Sequence, residues 1–222
     1  MEARLIVLSQ SSHHVAVFKP HNMAVVGGHG VPRPTLLDLV RKMFGSNLSP
    51  VHRLDRVIAG ITIFARSLFA KHALENAFKK RLVKKTYYAI CEGEPKFTKT
   101  IVDQPLKKLD LNNKKGPAAK QKIEAGGEQA ITNLKFLKQL TKEYCLIEAQ
   151  PLSGRMHQIR AHLAYLGLPI VGDRLYGAST SCAPHTIALC AVGLSLPLPK
   201  GGIIEIDART LFKPDNYLKF VS

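Results

Sequence analysis

The sequence is short of acids. Sixteen Asp and Glu stand against thirty-two Lys and Arg in 222 residues, a formal charge of +16. The excess is spread along the chain rather than gathered in a tail, so it points to a basic surface and a polyanionic partner, nucleic acid first and an anionic membrane surface second. Long apolar runs are missing too. The longest, such as Val57 to Ala65, fall well short of the roughly 20 residues that span a bilayer, so a membrane protein is not expected. The four cysteines, Cys91, Cys145, Cys182 and Cys190, form no C-x-x-C pair, which argues against a zinc site or a disulfide framework and for reduced thiols in the cytoplasm. The opening MEARLIVLSQ has no basic n-region and a four-residue apolar run, so no secretory signal is expected. Nucleotide, metal and flavin motifs are absent: Gly27-Gly28-His29-Gly30 is followed by neither G-x-G-x-x-G nor G-K-[ST] and reads as a plain loop. Any reaction must therefore run on side chains alone.

What is present is the composition of an ordinary globular protein, 45% hydrophobic and 22% charged. No composition break and no fixed-period repeat divides it, so residues 1–222 read as one domain. Strands are expected at 5–8 and 15–18, with a third strand-like piece at 23–26 after the turn Lys19-Pro20-His21-Asn22. The spacing of Leu36, Leu37, Leu39, Val40, Met43 and Phe44 predicts a helix capped by Thr35 and stopped by Gly45. A second helix, 67–81, puts Leu68, Ala70, Leu74, Ala77 and Phe78 on one side and a basic face on the other; that face leads to Lys84 and Lys85 and is either solvated or a phosphate-contacting patch. A strand follows at 84–93. Residues 97–127 turn polar and read as a mobile loop centred on 110–117. A hairpin of strands at 130–140 and 144–149 comes next. The helix predicted across 153–166 has Ile159, Leu163 and Leu166 on its core face and His157, Arg160, Ala161 and Ala164 opposite, so Arg160 points away from the core, either solvated or aimed into a cleft. His157 and His162 lie about 140° apart on that helix, too far round to share a metal. A turn-rich link at 169–177 leads to strands near 186–196 and 202–208.

The stretch best suited to chemistry is Ser49-Pro50-Val51-His52-Arg53-Leu54-Asp55-Arg56. It sets one carboxylate between two arginines ahead of an apolar strand. An arginine beside a partly buried aspartate keeps it ionised against desolvation, and an ionised, oriented carboxylate can serve as nucleophile or base. A structural Asp–Arg pair is the alternative. The other candidates are a strand tyrosine, Tyr87 or Tyr88, and Arg160. No second acid stands in a comparable setting, so a glycosidase-type carboxylate pair is not indicated.

These motifs resemble the RluA-type RNA pseudouridine synthases. His52-Arg53-Leu54-Asp55 with Gly60 matches that family's H-R-L-D signature and the glycine five residues after it. Gly154 through Leu163 matches G-R-x-H-Q-[IL]-R-x-H-L, and Gly167 through Gly177 matches G-x-P-I-x-G-D-x-x-Y-G. Lys85-Thr86-Tyr87-Tyr88-Ala89 is similar to its K-x-Y-x-A strand, and Lys19-Pro20 with Val25-Val26 to its N-terminal K-P segment. The resemblance implies an α+β pseudouridine synthase fold, a long mixed, mainly antiparallel sheet with flanking helices and a central catalytic cleft, with no S4 module ahead of it. It implies isomerisation of uridine in rRNA or tRNA without cofactor or metal, by a monomer. Asp55 becomes the catalytic aspartate, Tyr87 the tyrosine packed against the target base, and Arg160 the partner of Asp55. Arg53 enters the RNA stack as the nucleotide is extruded, and His52, Arg56, Arg155, His157, Lys84 and Lys85 are expected on the RNA.

Two segments depart from the pattern. Thr-Ser in the family is Ile58-Ala59 here, and its Leu-His-Ala is Leu189-Cys190-Ala191. The alternative they suggest is a catalytically degenerate relative that acts as an RNA-binding or ribosome-assembly factor.

Overall fold

The computed structural model describes residues 5–28, 30–111 and 119–219. Its elements are mixed α and β, and the strand pairing is mainly antiparallel. They group into two compact units, one from the described residues of Met1–Lys85, Pro184–Thr186 and Cys190–Phe212, the other from those of Thr86–Ala183, Ile187–Leu189 and Lys213–Ser222.

The first unit is built on β1 (Ile6–Gln10), β2 (His14–Lys19), β3 (Ser49–Pro50), β4 (Ala59–Ala65), β11 (Leu189–Pro197) and β12 (Ile203–Asp207). The order is β1-β2-β4-β11, with β3 on β4 and β12 on β11. Only β4 and β11 run parallel, through Cys190 opposite Ala59 and Ala191 opposite Gly60. Helix α1 (Leu36–Phe44) packs Leu36 and Val40 against Val15, Val17 and Phe64. Helix α2 (Leu68–Lys79) packs Ala70, Leu74 and Ala77 against Ala16, Ile61, Ile63 and Ala65. Since adjacent strand residues point to opposite faces, the two helices cover opposite faces of this sheet. That is why β4, buried at every position, reads as a near-continuous apolar run, interrupted at Thr62.

Thr35 caps α1 in both directions: its hydroxyl accepts the Asp38 N–H at 3.3 Å and the Asp38 carboxylate accepts the Thr35 N–H at 2.8 Å. The strand expected at 23–26 does not form. The Ala24 and Val25 carbonyls instead accept the N–H groups of Leu36 and Leu37, at 2.9 and 3.0 Å. First-turn N–H groups of a helix have no partner within it, and α1 takes these from the would-be strand. Leu68, expected in the α2 core stripe, is 72% exposed; at about 100° per residue it falls roughly 160° from Ala70.

The second unit carries β5 (Lys84–Glu92) from Thr86 on, β6 (Lys99–Asp103), β9 (Ile131–Gln139) and β10 (Tyr144–Pro151) in the antiparallel order β5-β10-β9-β6, with β7 (Leu106–Asp110) and β8 (Ala119–Ile123) as a separate hairpin. Helix α3 (Gln158–Tyr165), a 3-10 turn at Arg174–Tyr176 and α4 (Asp215–Leu218) complete it. The polar stretch 97–127 is thus largely strand rather than loop, while 112–117, at the centre of that expectation, lie outside the described residues. Its lysines hid the alternation: of β7, Leu106 alone is buried. Leu106 is fastened by two backbone hydrogen bonds with Glu128 and packs with Ala130 and Ala161.

Helix α3 differs from expectation in two ways. It begins at Gln158 rather than near Ser153, because the Gln158 Oε1 accepts the Ser153 hydroxyl at 2.8 Å and the Arg155 N–H at 3.1 Å and holds 153–157 as a turn. It also has no solvent face over its first six residues, since Gln158 through Leu163 are all buried. Arg160 is therefore not a solvated arginine.

Candidate functional site

In the first unit Asp55 stands in the connection from β3 to β4, in a segment tied down around it. Val51 and Leu54 are buried. The His52 ring stacks on Phe78 with centroids 4.8 Å apart, and its Nε2 accepts the Ile63 N–H at 3.1 Å. An acceptor nitrogen carries no proton, and burial, with the Lys85 charge beside it, pushes His52 down to about 4. The ring is a neutral strut. Asp55 is half-buried and its carbonyl accepts the Ile58 N–H at 3.0 Å, which closes a turn over residues 55–58. Arg53 is exposed, Arg56 half-buried, Lys84 exposed and Lys85 half-buried; burial, then the Arg81 charge, lowers the Lys85 ammonium.

Lys19, in the same unit, is fully buried. Its ammonium donates to the carbonyls of Met23 at 2.8 Å, Pro20 at 3.0 Å and Arg56 at 3.4 Å. Burial pulls it down to about 7, and the charge of Asp55 and then the Cys190 thiol act to hold it up. A lysine out of water needs such neighbours. Cys190 is buried in turn, its thiol pushed up to about 12. Gly60 lets β11 approach: a Cβ there would lie 2.3 Å from the Ala191 carbonyl oxygen, and its φ is +128°. Ile58 and Ala59 are both buried.

In the second unit, strand register separates the two tyrosines. Tyr87 lies opposite Ala149, which lies opposite Leu134; Thr132, two residues along, shares that face. The Thr132 hydroxyl is bonded to His162 Nδ1 at 2.8 Å and accepts from Gln158 Nε2 at 2.9 Å, both from α3. Tyr87 is therefore on the sheet face that α3 covers. Tyr88 lies opposite Glu148 on the other face, where Lys99, Ile101, Asn133, Lys135, Glu148 and Gln150 line a groove of about 450 Å³.

Arg160 is buried and paired with Asp173, which is buried too. Nε donates to Oδ2 at 2.6 Å and Nη2 to Oδ1 at 2.7 Å, a two-pronged pair. The Tyr176 ring lies under the guanidinium, 4.9 Å from its centroid. The Tyr176 hydroxyl accepts the Gln121 N–H at 2.8 Å and stands 3.1 Å from His157 Nδ1. Asp173 and Tyr176 so fix the plane of the guanidinium and with it the direction of Nη1. Arg155 donates to Glu128 at 2.5 Å and to the Gln129 carbonyl at 3.2 Å. His157 holds a left-handed backbone, φ +53°.

The candidates thus divide: Asp55, His52, Arg53, Arg56, Lys84 and Lys85 belong to the first unit, and Tyr87, Arg155, His157 and Arg160 to the second. Sequence reasoning missed the burial of Lys19 and the roles of Asp173 and Tyr176. The signal for all three was in the sequence, as the K of K-P and the D and Y of G-D-x-x-Y-G. Among the described residues no three His, Cys, Asp or Glu side chains gather as a metal site would require.

Residues 13–165 match the family described as RNA pseudouridylate synthase. The chain is 35% identical over 176 residues to ribosomal large subunit pseudouridine synthase C of Rickettsia bellii, covering 77% of this chain and 56% of the relative. It is 34% identical over 185 residues to tRNA pseudouridine synthase C of Vibrio cholerae, covering 78% and 74%. The chain thus spans little more than half the length of the first of these relatives. A solved structure titled human RNA pseudouridylate synthase domain containing 1 superposes with a TM-score of 0.82 at 22% identity over 98% of this chain and 88% of that one. It is a likeness of fold.

Proposed function

The chain belongs to the RNA pseudouridylate synthase family, in its RluA-type branch, and from that premise we propose that it isomerises uridine to pseudouridine in ribosomal or transfer RNA, with Asp55 as the catalytic carboxylate. The observation that carries the reading is the setting of Asp55: a half-buried acid in a tied-down turn, with the buried Lys19 ammonium among its electrostatic neighbours.

The reaction breaks the bond from C1′ to N1, turns the uracil and joins C1′ to C5, after which C5 gives up its proton and N1 takes one up. It is redox-neutral and transfers no group to another molecule. Asp55 acts on the ribose, at C1′ as nucleophile or at C2′ as base. The target nucleotide first leaves its stack, at a cost of a few kcal/mol; stacking on Tyr87 and phosphate contacts from the basic surface offset it. The family resemblance gives Arg160 to Asp55 as its partner, and Asp173 and Tyr176 hold that guanidinium in one orientation. Arg53, exposed two residues before Asp55, takes the space the extruded base leaves. His52, Arg56, Arg155, His157, Lys84 and Lys85 contribute to RNA binding, His52 through the segment it braces. The protein works as a monomer in the cytoplasm, with residues 1–222 as one catalytic domain.

Pseudouridines mapped in total RNA from cells with and without the protein test this reading. At least one rRNA or tRNA site should disappear with the protein and return with wild type but not with Asp55→Asn. Unchanged maps, with a deletion phenotype that Asp55→Asn rescues, would instead identify a non-catalytic RNA-binding factor.

A further inference from the structure

Resting on the proposal that Asp55 is the catalytic carboxylate, we infer that the turn Lys19–Asn22 is a clamp that positions it, with His21 and Asn22 as positioning residues. A carboxylate that must meet substrate cannot be fixed by its own burial. The segment that carries it has to be held by its neighbours, within a fraction of an ångström, if the reacting atoms are to align. Upstream, His52 and the buried Leu54 do this. Downstream, the two residues after Asp55 are held by the turn. Its Lys19 ammonium donates to the Arg56 carbonyl at 3.4 Å, and His21 Nδ1 to the Val57 carbonyl at 2.8 Å. Its Asn22 Oδ1 accepts the Arg56 Nε at 2.8 Å. Three successive polar side chains of the motif, with Pro20 between the first two, thus converge on two consecutive residues some 35 positions away in sequence.

Two further observations support a built device. Asn22 has φ +58°, a left-handed conformation that asparagine tolerates better than most residues, and its amide oxygen is the one bonded to Arg56. Next, the family pattern has Thr-Ser where this chain has Ile58-Ala59, and both of these are buried apolar side chains that cannot donate. In this chain the polar tethering of the downstream arm comes from the turn. A carbonyl only accepts, so Nδ1 of His21 carries the proton. Burial lowers the His21 pKa, and the Lys19 charge lowers it further against the Val57 hydrogen bond, which keeps the ring neutral with that donor in place.

The test uses the whole chain and three variants, His21→Ala, His21→Asn and Asn22→Gly. Position 21 is half-buried and 22 exposed, so folding should survive, as circular dichroism will show. An Asn side chain sets its amide nitrogen close to where Nδ1 of His lies. For tritium release from RNA carrying 5-tritiated uridine, His21→Ala should lower kcat by about tenfold to a hundredfold with KM within about twofold, and His21→Asn should restore most of it. Asn22→Gly should lose less. Hydrogen exchange of the Ile58 amide, which closes the turn on Asp55, should quicken about tenfold in His21→Ala and slow again in His21→Asn. Unchanged exchange and kcat in His21→Ala, or a rise in KM alone, would overturn the clamp. If wild type itself released no tritium the proposed function would fail, and the exchange of Ile58 across the three variants would still decide whether the turn holds the segment.

Discussion

Replacing Asp173 by Asn should destabilise the protein far more than a single oxygen-to-nitrogen change suggests. Arg160 is 6% exposed and Asp173 1%, and the carboxylate accepts two guanidinium N–H groups at 2.6 and 2.7 Å. Asn keeps one acceptor but brings an NH2 against the other N–H and takes the Asp173 charge away from a buried guanidinium. Breaking a buried pair from one side costs about 3–5 kcal/mol. With one hydrogen bond retained we expect about 3 kcal/mol, which for a chain of this length lowers Tm by roughly 6–12 °C. The pair need not be a net source of stability: Arg160→Met with Asp173→Leu, which removes both charges into apolar surroundings, should return to within about 1 kcal/mol of wild type, giving a coupling of about 2 kcal/mol or more in the cycle. Urea unfolding followed by circular dichroism and by tyrosine fluorescence measures each variant and checks that one transition is seen. A cost below about 1 kcal/mol for Asp173→Asn, or a double variant no better than the single, would refute the argument. In the first case the pair is not desolvated as the geometry requires. In the second, Arg160 holds the fold through partners other than Asp173.

Three other outcomes follow from the same geometry. Lys19 titrates near 7 in the folded chain against 10.5 in an ordinary lysine; between these values the unfolded state binds a proton that the folded state does not, so stability should rise with pH across that window by up to about 1.4 kcal/mol per unit. Lys19→Met should flatten that slope in urea midpoints, and equal slopes would contradict it. Gly60→Ala would drive a Cβ to 2.3 Å from the Ala191 carbonyl oxygen at φ +128°, so a loss of about 3 kcal/mol or more is expected in thermal unfolding, and an unchanged Tm would exclude the close approach of β11. Tyr87→Ala should slow tritium release roughly 5- to 150-fold, the worth of about 1–3 kcal/mol of base stacking, whereas Tyr88→Ala, on the opposite face of the sheet, should stay within about threefold; the reverse order would move the base to the other tyrosine.

Much of the fold was legible because its signals are local. Thr35 and Gly45 mark α1 by capping, and β4 declares itself by a run apolar at every position but Thr62. The proposal for Asp55 rests on a motif that is local in the same way. Position along the chain does not say which residues are brought together across it, and there the reading failed. A helical wheel assumes that a polar side chain faces water, yet Arg160, Gln158 and His162 are buried because Asp173, Thr132 and the Gln104 carbonyl satisfy them. These partners lie 13 to 58 residues away. The choice between Tyr87 and Tyr88 is a matter of register, which a single strand cannot show. Strands β6 to β8 were hidden by lysines on their exposed positions, and the segment 23–26 has strand chemistry but gives its carbonyls to α1.

The central claim is that Asp55 performs chemistry on uridine in RNA. Its most direct test is tritium release by the purified chain from cellular RNA labelled at uridine C5, wild type beside Asp55→Asn. Wild type should release tritium, bounded by the number of target sites, and Asp55→Asn none above background, with both proteins folded and binding RNA equally. Equal release from the two, or none from wild type with any RNA pool, would contradict it.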